Sequence, residues 1–300
     1  MKQIRSFLIH LGSSMWETRH ERMLCDDAEW RLLTDRIAGG GCNMLLIDIG
    51  EGVRFESHPE IAAEGAWSVE KLRTELARLR SIGLEPIPKL NFSTAHDIWL
   101  GEYERMVSTP EYYRVCGDLI RESARIFDGP RFFHFGFDEE DVWCHTGYEF
   151  TAIRHGSLWW HDLEWLVRTI EGAGMRAWMW SDYIWEHRDE FLRRMSRGVL
   201  QSNWYYDEAF DARAFRWPRI MNYVDLDRAG FDQVPTCSNF VVDSNARGTV
   251  DFCRKNLSPS RLLGFMQTTW KPTTRESRAR NLAAVDLFSE ALGSEWRREQ

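Results

Sequence analysis

Phe132-Phe133-His134-Phe135-Gly136-Phe137-Asp138-Glu139-Glu140-Asp141 is an apolar run that stops abruptly at four consecutive acids. A strand covered on both faces loses its apolar/polar alternation, so residues 132–137 read as a buried strand. Acids at the carboxyl end of such a strand sit where α/β proteins place their chemistry. Neighbouring carboxylates repel one another, so one of them can be held protonated near neutral pH and act as a general acid. The competing reading is a solvated acidic turn that starts the next helix, and Glu140 and Asp141 are assigned to that turn.

Working outward, seven more short apolar or β-rich runs occur at 7–11, 44–49, 85–90, 176–181, 199–203, 233–238 and 262–267. Helix-like segments separate most of them. The clearest follows the second run: Ser68 is an N-cap, Glu70 favours the first turn, Val69, Leu72, Leu76, Leu79 and Ile82 share one face, and Gly83 supplies the stop. Residues 158–171 and 275–292 repeat that logic. Strand and helix alternating through the whole chain predict a parallel sheet with helical cover, and eight strands favour a closed (β/α)8 TIM barrel. No Pro-, Gly- or Ser-rich linker divides the 300 residues, so residues 1–300 are expected to form one domain. The sixth and seventh strands are the least defined, because 205–232 has weak periodicity. Trp178 and Trp180 are expected to face opposite ways, one into the barrel and one toward the helices, and Trp159, Trp160 and Trp165 to lie in the core.

Composition narrows the partners. The formal charge is −8, with Lys and Arg dispersed, which argues against nucleic acid. No apolar segment approaches the roughly 18 residues a membrane span needs. The first ten residues lack a signal-peptide core, so a cytoplasmic location is expected. Six cysteines form no C-x-x-C pair and read as reduced structural thiols; no metal and no cofactor is expected. Fifteen tryptophans are the oddity. Many must be core, but flat indoles also suit stacking on the C–H face of a sugar.

In a barrel, function collects at the carboxyl ends of the strands. Reading each run to its end gives Arg54 after the second strand, Asn91 and His96 after the third, and Asp138 and Glu139 after the fourth. Trp180 and Asp182 follow the fifth, Trp204, Tyr205 and Asp207 the sixth, Asp243 the seventh and Trp270 the eighth. The implied pocket is acidic, aromatic and amide-rich, which suits a neutral polyhydroxylated ligand. No phosphate-binding G-x-x-x-x-G-K or G-x-G-x-x-G motif is present.

His134-Phe135-Gly136-Phe137-Asp138-Glu139 resembles the His-x-Gly-Gly-Asp-Glu signature of glycoside hydrolase family 20, the β-N-acetylhexosaminidases. The likeness continues in order along the chain. The Gly50–Glu60 loop with Arg54 is similar to the segment carrying that family's sugar-binding arginine. Gly83–Pro88 with His96 is similar to its Gly-Ile-x-x-Ile-Pro-Glu segment and downstream Gly-His. Trp180-Ser181-Asp182 and Gly264–Trp270 fall where the family places pocket tryptophans. The resemblance implies a (β/α)8 hydrolase acting on a terminal β-linked N-acetylhexosamine by substrate-assisted retention, in which the substrate's acetamido oxygen attacks the anomeric carbon. Glu139 would then be acid and base, and Asp138 would hold the acetamido N–H. Arg54, His96, His134, Asp182, Tyr205, Asp207 and Asp243, with the walls Trp180, Trp204 and Trp270, would bind substrate.

The sequence departs from that pattern in several places. Phe137 replaces the second glycine, Lys89 stands where the family has Glu, and Lys271-Pro272 replaces Ser-Glu after Trp270. The family's Tyr-x-Asp, whose tyrosine supports the acetamide, matches either Tyr205-Tyr206-Asp207, by letters, or Val241-Val242-Asp243, by position. Two alternatives stay open. One is a two-carboxylate glycosidase for another sugar, pairing Glu139 with Asp182 or Asp207; the other is a carbohydrate-binding barrel without catalysis. Carbohydrate is the expected ligand, and a homodimer the expected assembly if one forms.

Overall fold

The computed structural model describes residues 3–15 and 18–293. Eight parallel strands make the barrel: β1 Ile4–His10, β2 Met44–Asp48, β3 Glu85–Lys89, β4 Phe132–His134, β5 Arg176–Trp180, β6 Leu200–Ser202, β7 Thr236–Ser238 and β8 Gly264–Thr268. Their order is sequential from β1 to β6, and β1 also pairs with β8, which pairs with β7. Closure between β6 and β7 rests on two bridges, Gln201 with Gln233 and Trp204 with Thr236. These are the two strands that the sequence defined least, and each is three residues long.

Among the described residues, eight α-helices cover the outside: α1 Asp27–Gly39, α2 Val69–Ser81, α3 Pro110–Ile126, α4 Ser157–Gly172, α5 Ile184–Arg194, α6 Trp217–Arg228, α7 Asn245–Asn256 and α8 Arg278–Leu292. Ser68 caps α2 as its sequence predicts, its hydroxyl accepting from the Lys71 amide at 3.1 Å. The buried apolar residues form two bodies. A large one, including Phe7, Leu45, Leu76, Ile120, Trp159 and Phe288, fills the space between sheet and helices. A smaller one, with Leu8, Leu46, Ile87, Phe132, Trp178, Trp180 and Met266, fills the barrel itself. Trp178 and Trp180 therefore share the interior, correcting the expectation that they diverge: residues two apart on a strand point the same way, and Ala177 and Met179 are the ones that face the helices.

β4 is shorter than the run 132–137. It ends at His134, and the chain then turns with positive φ at Gly136 (69°), Phe137 (74°) and Glu139 (58°). All six cysteines are unpaired. Among the described residues, no helix is long and apolar enough to cross a membrane.

One glycine is dictated by barrel closure. A Cβ on Gly264 would lie 1.9 Å from the carbonyl oxygen of Ile4, its register partner on β1. Backbone cannot retreat from such a contact without disturbing the β1–β8 pairing. Gly264→Ala is expected to destabilise the fold by about 1–3 kcal/mol, as other overpacked sites do. A urea midpoint unchanged from the parent would contradict this.

Candidate active site

The left-handed turn after β4 aims two adjacent acids differently. The Phe137 amide donates to Asn91 Oδ1 (3.1 Å) and the Glu139 amide to Asp182 Oδ2 (2.8 Å). Ser93 Oγ donates to the carbonyl of Asp138, and the Gly136 amide donates to His134 Nδ1 at 3.1 Å. Gly136 has no room for a side chain, since its Cβ would lie 1.8 Å from Asn91 Oδ1. Phe137 occupies a conformation that glycine adopts freely and that costs other residues about 1–3 kcal/mol. Its ring is turned away from the acids and packs 5.1 Å from Trp159 and 4.3 Å from the Arg154 guanidinium.

Asp138 is buried at the cavity floor. Its Oδ1 accepts from Asn91 Nδ2 (2.8 Å) and its Oδ2 lies 3.4 Å from His96 Nε2. The same His96 Nε2 lies 3.1 Å from Glu139 Oε2. Burial alone would raise the Asp138 carboxyl, but the facing His96, followed by Lys89 and Asn91, holds it below the ordinary carboxylate range. Burial likewise disfavours a charged His96, yet Asp138, with help from Glu139, lifts it to about 10. The floor thus carries an imidazolium that faces the Asp138 carboxylate and also reaches Glu139 Oε2. Beside it Lys89 Nζ, 1% exposed, donates to Asp48 Oδ2 at 2.5 Å. Lys89 and Asp48 form a second buried pair in the lining.

The cavity holds about 120 Å³ and is lined by Gly12, Ser14, Met15, Asp48, Gly50, Lys89, Asn91, His96, Trp99, Asp138, Glu139, Trp204, Tyr206, Phe240 and Trp270. Of the residues expected from sequence, Asn91, His96, Asp138, Glu139, Trp204 and Trp270 therefore meet in one place. His134 does not line the cavity; it is fully buried beneath it, 5.4 Å from Trp178 and 4.5 Å from Trp180. Burial and the nearby Lys89 keep its imidazole neutral, well below its usual value. Trp180 is also fully buried and supports Trp270 from below at 5.8 Å.

Asp182, Tyr205 and Asp207 border an adjoining groove instead. Asp182 is held above the carboxylate range by burial and by the nearby Asp138, and it serves to pin the Glu139 amide. Tyr205 spends its hydroxyl on the carbonyl of Ala209 (2.9 Å). Two positions lie outside altogether. Arg54 is exposed, because in the ribbon Val53–Arg54 it is Val53 that points inward. Asp243 is exposed and pairs with Arg280 at 2.7 Å.

Glu140 corrects the reading of a solvated turn. Its side chain is buried and pairs with Arg154 Nη2 at 2.5 Å, while Oε1 accepts from the Thr94 amide at 3.0 Å. Arg154 also reaches Asp162 on α4 (3.3 Å) and the carbonyl of Phe92. This clamp ties the loop after β4 to the loop after β3. Asp141 alone stays exposed, accepting from the Cys144 amide at 2.9 Å.

Sequence reasoning missed Lys89 and Trp99 as lining and gave Tyr206 no role of its own. Alternation offered a signal for Tyr206, which lies two residues beyond Trp204 and so shares its face; the two rings stack at 5.0 Å and 24°. Among the described residues, His96, Asp138 and Glu139 are the one group whose ligand atoms lie within 4.8 Å, close enough to hold a divalent cation. The hydrogen bonds among them account for that closeness without an ion.

The His96 charge makes a pH prediction. Its folded pKa is raised from 6.5 to about 10, so its contribution to stability is complete below about pH 6.5 and fades as pH climbs toward 10. Asp138 is lowered, so its contribution is lost only in acid, below about pH 4. The stability advantage of the parent over His96→Asn should shrink steadily between pH 6.5 and 10 in urea titrations. A difference independent of pH across that interval would show that His96 carries no such charge.

No family model and no curated protein matches the sequence. The fold has clear counterparts among solved structures. A family 20 exo-β-N-acetylglucosaminidase from Vibrio harveyi superposes with a TM-score of 0.62 at 14% identity, over 97% of this chain and 57% of that one. An N-acetyl-β-hexosaminidase from Streptomyces plicatus, solved with thio-NAglucal, gives 0.66 at 12% identity, over 98% and 65%. A family 138 glycoside hydrolase targeting the pectin rhamnogalacturonan II gives 0.61 at 10% identity, over 98% and 40%. The chain spans less than two thirds of the length of each. It is thus a (β/α)8 barrel similar in architecture to the barrels of family 20 β-N-acetylhexosaminidases and of another glycoside hydrolase family.

Proposed function

We propose that this chain is a glycoside hydrolase that removes a terminal β-linked N-acetylhexosamine by substrate-assisted retention. One observation carries the reading: two consecutive carboxyl groups enter the same cavity, one buried and one open to solvent. Asp138 is buried, fixed by Asn91 and kept ionised by His96. Glu139 has a quarter of its side chain exposed and lies where the cavity meets open space. A group that gives a proton to a leaving oxygen and then takes one from water needs that access. A group that stabilises positive charge needs only its own charge, held in place.

In the proposed reaction the acetamido oxygen of the substrate attacks C1 while the glycosidic C–O bond breaks and the Glu139 proton passes to the departing oxygen. Asp138 accepts the acetamido N–H and faces the positive oxazolinium. Water then adds at C1 as the oxazolinium C1–O bond breaks and the acetamide re-forms, the water yielding its proton to Glu139, and the β configuration is retained. Tyr206 is the tyrosine proposed to support the acetamide. Its hydroxyl is buried in the cavity wall, and burial raises the phenol well above its usual range, so it remains a donor. Trp204 and Trp270 offer the faces for the ring. Exo action corresponds to one terminal sugar seated in the cavity. The pairing of Glu139 with Asp182 loses support, since Asp182 is engaged by the Glu139 backbone.

Aryl β-glycosides with and without a 2-acetamido group test the proposal. The parent should cleave only the acetamido compound, and Glu139→Gln should lower kcat by on the order of 10²–10⁴-fold, the usual worth of a general acid. EDTA should leave the rate unchanged; loss of activity that a divalent cation restores would select a metal site at His96, Asp138 and Glu139 instead. Equal turnover by the Gln variant would remove Glu139 from the mechanism.

A further inference from the structure

A groove of about 790 Å³ adjoins the cavity of about 120 Å³ and shares Glu139, Trp204, Tyr206 and Phe240 with it. Residues after β4, β5, β6 and β7 form its walls. Its rim keeps large apolar groups in water: Trp143 is 87% exposed and Val241 51%. Neither contributes to the core, and apolar groups gathered beside a site mark a ligand surface. The inner wall is Trp204, which meets Trp185 edge-on at 4.5 Å. Arg219 lies 3.7 Å over the Trp185 ring. Arg216 and Arg219 share the lining with the acids Glu139, Glu140, Asp141, Asp182, Glu186 and Asp207, an excess of acids that disfavours anionic sugars. Aromatic faces with interspersed donors and acceptors match the C–H faces and hydroxyls of a neutral sugar chain.

We infer that this groove binds the leaving-group side of the substrate, a neutral oligosaccharide of two or more sugars, with Trp143 as its outer platform. The inference rests on the hydrolase reading and extends it. Glu139 borders both spaces, and its proton goes to the glycosidic oxygen. The scissile bond therefore lies at Glu139, with the terminal sugar in the cavity and the departing chain in the groove. The chain accordingly trims the ends of neutral polysaccharide or long glycan, and short leaving groups forgo much of the contact.

The test compares Trp143→Ala/Val241→Ser with the parent on an aryl N-acetyl-β-glucosaminide and on the β-1,4-linked tetramer of N-acetylglucosamine. The ratio of kcat/KM for tetramer over aryl glycoside should fall at least tenfold in the variant. An unchanged ratio overturns the groove assignment while leaving the hydrolase reading intact. If the parent cleaves neither compound, the hydrolase reading fails, and calorimetry with the tetramer decides the groove separately. Binding weakened tenfold or more by the double substitution supports it; absence of binding, or equal binding by both proteins, overturns it. A dimer in light scattering that the double substitution dissolves would assign the patch to a second copy of the chain and overturn the inference.

Discussion

The backbone between Gly136 and Glu139 is the constraint on which the candidate site depends. Three of these four residues have positive φ, a conformation that isolated chains avoid. It persists because side chains from two other strand ends hold its amides: Asn91 takes that of Phe137 and Asp182 that of Glu139. An extended strand through Asp138 and Glu139 would send successive side chains to opposite faces of the sheet, one into the barrel and one toward the helices. The turn instead lets both serve the same cavity, one at the floor and one at the mouth. The strain in Phe137 and Glu139 is offset by these bonds and by the burial of the Phe137 ring.

Electrostatics follow from that geometry. Two carboxylates brought this close would repel strongly in a buried setting, and the neutral alternative would leave no charge to stabilise a cation. His96 resolves this by lying between them, 3.4 Å from Asp138 and 3.1 Å from Glu139. Lys89 and Asp48 add a second compensated pair nearby. Asp138 thus faces His96 and Asp48 faces Lys89, so each buried acid of the lining is met by a base. That balance suits a neutral sugar.

Much of this was legible in the sequence. Buried strands announce themselves as apolar runs, and all eight barrel strands fall within or overlap such runs. Asp138, Glu139, His96, Trp204 and Trp270 follow from reading each run to its end, because a barrel gathers strand ends at one mouth. What failed did so for identifiable reasons. Arg54 lies on a two-residue ribbon outside the barrel and Asp243 on a loop, where position after a barrel strand does not fix direction, and each points to solvent. Trp180 and His134 sit one layer too deep, within the strands whose ends carry the site. Glu140 read as a surface acid because its partner Arg154 is fourteen residues away, and no local pattern signals a pair at that distance. The turn at Gly136 was hidden by Phe137, whose bulk disguised a left-handed position as strand.

The most direct measurement is a crystal structure of this protein soaked with a thiazoline mimic of the oxazolinium ion. The account predicts the bicyclic ring in the cavity between Trp204 and Trp270. The thiazoline nitrogen should lie at hydrogen-bond distance, about 2.7–3.2 Å, from an Asp138 carboxylate oxygen, with the Glu139 carboxyl facing the anomeric carbon. A ligand bound elsewhere, or seated there with neither acid within reach, would contradict it.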